Sequence, residues 1–203
     1  MYFTRPYTDT LSRASFATAY PALILLAATL TVGPWKVLRS QANPVSNDLR
    51  RDLGIWTGIL GIVHTAVGQC VHLRARPWLY YVYGPTEHHH PIPVRHDLFG
   101  FANYTGALGV LILAGLFAMS NDASLRRLGA PGWKLLQRWN YGVAVLVAMH
   151  AGGYLIIEKQ QFRFVTAVMA CIVAEAGFQL AGLMKRRSQA GATRRCQPAS
   201  DAE

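Results

Sequence analysis

Five stretches of 19 to 23 residues hold no Lys, Arg or Asp and, among them, a single Glu: Phe16 to Trp35, Leu53 to Leu73, Leu98 to Ser120, Trp139 to Ile157 and Phe164 to Met184. A helix rises about 1.5 Å per residue, so crossing a hydrocarbon core of about 30 Å takes roughly 20 apolar residues. Each stretch has that length. One such stretch fits the core helix of a soluble protein, but five within 203 residues leave a soluble domain too little polar surface to stay in water. The expected fold class is all-α, an integral membrane bundle of about five transmembrane helices forming one domain over residues 1–187. Residues 188–203 are small, polar and basic and are expected to form a disordered tail.

The first stretch is too long for a signal-peptide core and runs into Gly33, Pro34, Trp35 and Lys36, an interfacial aromatic followed by a basic residue, so it reads as a retained helix. Five crossings put the chain ends on opposite sides. Of the 20 Lys and Arg residues, thirteen fall in the first loop, the third loop and the C-terminal tail, all on one side. Positive loops stay in the cytoplasm, which places the C-terminus there and the N-terminus outside. The formal charge of +10 follows from this topology and from attraction to anionic membrane lipid, without nucleic-acid binding. Cys70, Cys171 and Cys196 form neither a CxxC motif nor a disulfide framework.

Ionisable groups at membrane depth are costly enough to suggest a function. His64 lies 13 residues past Arg51 and His150 lies 12 past Arg138, which sets both roughly 18 to 20 Å along their helices from the cytoplasmic charges. Two imidazoles at one level on two parallel helices suit a six-coordinate haem iron. Gly61 and Gly68 share the helix face of His64 and leave a groove without side chains for a flat macrocycle. The alternative is that these glycines only let helices pack closely and that each histidine bonds a neighbouring helix.

His72 and the following loop, with Glu87, His88, His89, His90, His96 and Asp97, are rich enough in donors for a transition metal. Adjacent histidines point in different directions, however, and lack the i, i+4 spacing of a preformed site, so a solvated loop is the competing reading. The run Trp78 to Tyr83 resembles an interfacial aromatic belt. Glu175 is open between a proton-relay role, a pairing with its i+4 neighbour Gln179 and a buried neutral carboxyl.

Arg50-Arg51, Leu53-Gly54 and His64, then Thr105-Gly106, Leu125 to Gly129, Gly132 to Tyr141 and His150, resemble ferric reductase-like transmembrane domains. That family includes the haem-binding membrane subunit of the bacterial methionine-sulfoxide reductase system, and the likeness covers residues 48 to 158. The resemblance implies a b-type haem module in a bacterial inner membrane that carries single electrons. Family members place two histidines on each of two helices and hold two haems. Here the outer pair matches His64 and His150, whereas Gln137 and Gly54 stand where an inner pair would be, so one haem b is expected.

Arg74, Arg76 and Arg95 are candidates to neutralise its propionates. No GxGxxG follows a strand pattern, so flavin or NAD(P)H chemistry is assigned to a protein partner, with a membrane quinol as another donor. The second and fourth stretches would form the haem cradle, joined by the third, with the first and fifth as supporting walls. Competing functions are a non-redox accessory subunit of a larger membrane complex and a proton-coupled transporter built on Glu175. The latter is weakened by the lack of an internal repeat.

Overall fold

A computed structural model describes residues 9–40, 48–73, 76–84, 92–158 and 162–196. Among these residues six α-helices follow one another: α1 (Thr10–Leu38), α2 (Asp48–Val71), α3 (Leu98–Ala118), α4 (Asp122–Gln137), α5 (Trp139–Ile157) and α6 (Phe162–Cys196), with a 3-10 turn at Pro77–Tyr80. Five spans among the described residues are long and apolar enough to cross a membrane. Leu111 (69 %), Ile156 (67 %) and Val173 (63 %) stay exposed on the outside of the bundle, an arrangement suited to lipid rather than water. The chain is therefore an all-α, multi-pass membrane protein.

The helices pair as α1 along α2 and α3 along α5, with α6 packed on α1. Leu26, Leu30, Leu113, Leu116 and Val143 form the apolar core where α1, α3 and α5 meet. The two helices that carry the intramembrane histidines, α2 and α5, are not packed closely on one another.

Helix α1 begins at Asp9, whose carboxylate accepts the Ser12 amide at 3.0 Å. That hydrogen bond holds the Asp9 carboxyl below its usual range. Pro34 lies inside α1 and lacks the N–H that would close on the Leu30 carbonyl. Gln179 of α6 donates to that carbonyl instead, at 3.0 Å. A side chain at Gly182 would come within 3.0 Å of Pro34, so a glycine there allows α6 to approach the proline.

Three features depart from the sequence expectations. The connection between the third and fourth spans is a helix, α4, capped by the Asn121 side chain on the Ser124 amide at 2.8 Å and burying none of its residues. It breaks at Gly129, where φ is 64°, a conformation that glycine adopts without a Cβ clash. Helix α6 continues to Cys196, so residues 188–196, expected as disordered tail, are helical. That segment is built largely from good helix formers such as Gln, Ala and Arg; residues 197–203 lie outside the described residues.

The aromatic run after α2 is only partly a belt. Trp78 is exposed, but Leu79 and Tyr80 are buried. The Tyr80 hydroxyl donates to the Gly68 carbonyl at 3.0 Å and accepts the His72 amide at 2.7 Å, closing the end of α2. Burial pushes that hydroxyl above the usual phenol range.

Candidate functional site

His64 and His150 meet, as their matched depths predict: their ring centres are 6.1 Å apart, with the ring planes 78° to one another. Each uses Nδ1 on a backbone carbonyl of a neighbouring helix. His64 Nδ1 lies 3.1 Å from the Ser15 carbonyl on α1, and His150 Nδ1 lies 2.8 Å from the Ala102 carbonyl on α3. A carbonyl oxygen only accepts, so in both rings the proton sits on Nδ1 and the Nε2 lone pair is left free. Among the described residues neither Nε2 has a hydrogen-bond partner.

These bonds are the helix contacts that the packing alternative expects, yet they satisfy only one nitrogen of each ring. The accepting carbonyls belong to residues 49 and 48 positions away in the chain. Helix α1, expected as a supporting wall, is thus part of the site. Gly106, on α3, is required by the same geometry: a Cβ there would lie 2.5 Å from His150 Nδ1 and 2.8 Å from its Cε1.

Both rings line one open cavity between the α1–α2 and α3–α5 pairs, with about 1500 Å³ of empty space counted out to its mouth. Tyr154 packs 5.0 Å from His150 and donates to Asn103 at 3.0 Å. His72 stacks on Tyr154, and its Nε2 is 3.2 Å from the Glu158 carboxylate. These side chains form a line from His150 to the end of α5. On the α2 side, Gln69 donates to the Tyr81 hydroxyl at 2.8 Å, while its Oε1 is buried with no partner among the described residues.

Other expected residues fall out differently. Gly61 and Gly68 line the cavity, but a Cβ on Gly61 would come within 2.8 Å of Leu113, so its first service is to bring α2 against α3. Gly68 faces the Ser15 hydroxyl with ordinary room, 3.6 Å. Arg95 does not reach the cavity: its guanidinium donates to Asp97 at 2.7 Å and to the Leu79 carbonyl at 2.8 Å, and lies over the Tyr83 and Phe99 rings. Arg76 is exposed and turns back onto the Leu73 carbonyl at 3.3 Å. Arg74 and the run Glu87 to His90 lie outside the described residues. Among the described residues no group of three or more His, Cys, Asp or Glu side chains is gathered for a bare metal ion.

Gly54 and Gln137, the positions without inner histidines, line a second, smaller cavity at the other end of α2 and α5. There Gln137 Oε1 accepts the Asn140 amide at 2.9 Å. Glu175 does pair with Gln179, at 2.6 Å, and its other oxygen meets the Thr31 hydroxyl at 2.7 Å. Sequence reasoning missed Ser15, Gln69, Ala102 and Tyr154 as site residues. Nothing local marks them, because two act through backbone carbonyls and all are defined by long-range contacts. No family model matches the chain, and no solved structure matches it.

Proposed function

We propose that this chain is a membrane b-type haem protein that carries single electrons as a ferric reductase-like subunit, with one haem held between His64 and His150. The observation that supports it is the pair of imidazoles, each tied by Nδ1 to a carbonyl, each with Nε2 free, 6.1 Å apart at the edge of a cavity. An imidazole nitrogen binds a metal at about 2 Å, so two rings sharing one metal have centres about 6 Å apart. Donation of Nδ1–H to a carbonyl fixes ring orientation and makes Nε2 a stronger ligand.

Bound haem b supplies a one-electron iron couple whose potential follows axial ligation and burial. The chain's own residues orient the ligands: the Ser15 and Ala102 carbonyls set the two rings, and Gly106 leaves the space in which the His150 ring lies. Arg95 is withdrawn from the propionate role because Asp97 and Leu79 hold it. Flavin or NAD(P)H chemistry is assigned to a protein partner, and a membrane quinol is the other donor class. The positive-loop bias supports an orientation with the N-terminus outside and the C-terminus cytoplasmic, and the family resemblance is what implies a bacterial inner membrane.

The purified protein from haem-replete cells should show a Soret band with split reduced α and β bands. Both His64→Ala and His150→Ala should lose it. A colourless wild-type preparation overturns the haem reading. It would favour the accessory-subunit alternative, to which the Gln137–Asn140 pair in the inner position already lends some support.

A further inference from the structure

The cavity that His64 and His150 line confines its capacity for charge to one place. Among the described residues no Lys, Arg or Asp lines it, and Glu158 is its single acidic residue. Besides the two candidate ligands, the one imidazole in its lining is His72, whose Nε2 lies 3.2 Å from the Glu158 carboxylate. This pair joins the end of α2 to the end of α5. Its side chains keep 36 % and 23 % of their surface exposed, so it meets water at that end of the bundle as well as the cavity. Tyr80 and Tyr154 flank the His72 ring, and their hydroxyls donate to the Gly68 carbonyl and to Asn103. Phe99 of α3 covers another side, and beyond it Arg95 is paired with Asp97. Phenols keep their protons well past neutral pH, so the imidazole–carboxylate pair is what exchanges a proton near neutrality here.

An electron delivered between His64 and His150 adds a negative charge in a medium of low dielectric, where it raises the proton affinity of groups near it. The pair is one aromatic ring away: Tyr154 lies 5.0 Å from the His150 ring, and His72 stacks on Tyr154 at 6.5 Å. We propose, resting on the haem reading above, that His72 and Glu158 form a proton-loading site coupled to electron transfer. The pair takes up one proton from water at its end of the bundle when the iron gains one electron from the flavin or quinol donor, and releases it when the electron leaves. One negative and one positive charge enter together, so the cavity's net charge does not change.

The test is a mediated spectroelectrochemical titration of the full haem-loaded chain in detergent, read at the reduced α band from about pH 5 to 8, the range in which an imidazole exchanges its proton. The midpoint potential should fall as pH rises, with a slope approaching about 59 mV per pH unit, the tenfold constant for one electron. Glu158→Gln, which keeps the shape and removes the charge, and His72→Gln should each retain the Soret band and lose most of that slope. Glu175→Gln, a carboxyl outside this cavity, should keep the wild-type slope. A normal Soret band with a potential that does not respond to pH overturns this proposal and leaves the haem reading standing. A wild-type slope that survives in both Glu158→Gln and His72→Gln also overturns it, because the proton then goes to another group such as the haem's own carboxylates. So does an equal loss of slope in Glu175→Gln. A colourless wild-type protein overturns the haem reading and this proposal with it.

Discussion

Two polar clusters lie inside the membrane-spanning part of this protein, and they are built to opposite rules. In the Glu175 cluster the bonds close on themselves. Both carboxyl oxygens have partners in Gln179 and Thr31, and Gln179 also fills the Leu30 carbonyl that Pro34 leaves without a donor. In the histidine cluster each ring is anchored by one nitrogen and keeps the other unpartnered beside a cavity. A polar group at membrane depth that has spent its bonding capacity is structural glue. One with capacity left, facing empty space, is the candidate for a ligand. This difference moves Glu175 from relay candidate to a bracket between α1 and α6.

Experiments that separate the two clusters test the comparison. The largest effect should come from Gly106→Val, whose side chain must displace the His150 ring; haem absorbance should fall as far as in His150→Ala, with a stability loss of about 1–3 kcal/mol from overpacking. Retention of the normal spectrum would show that the His150 position is not what holds the ligand. Gln179→Leu should leave the spectrum intact while destabilising the detergent-solubilised protein by about 2 kcal/mol, since it strips partners from both Glu175 and the Leu30 carbonyl. A spectral change there would tie the two clusters together and break the distinction.

Thr31→Val removes one interhelical contact and should cost about 1 kcal/mol, again without spectral change. The smallest effect belongs to the bundle's edge. Asp9→Ala should raise amide exchange only in the first turn of α1. Because the carboxyl of Asp9 is held below its usual range, wild type should keep this cap above the ordinary carboxylate range and lose it as pH falls through the lowered value.

Much of the fold was legible because hydrophobicity adds up along the chain. Five apolar runs defined five spans with no knowledge of their neighbours, and the depths of His64 and His150 followed from helical rise alone. The same rise put Gln179 one turn from Glu175. The α4 helix is hidden because a short basic connection between two apolar runs reads as a loop, and the end of α6 is hidden by its polar composition. Arg95 departs from the expectation because its position beside the span does not reveal that its guanidinium turns to Asp97, the Leu79 carbonyl and the Tyr83 and Phe99 rings instead of the cavity.

By itself the sequence determined the solvent each segment prefers, the number of spans and the level of each ionisable group, since these depend on composition and on a fixed rise per residue. Only the tertiary structure decided what those groups do. The tautomer of each histidine is set by a carbonyl almost fifty residues away, the His150 ring lies on Gly106 from another helix, and the cavity exists because α2 and α5 pack on other partners instead of on each other. A hydrogen bond or a void depends on surfaces that meet only when distant parts of the chain are brought together, and no local pattern encodes which surfaces those will be.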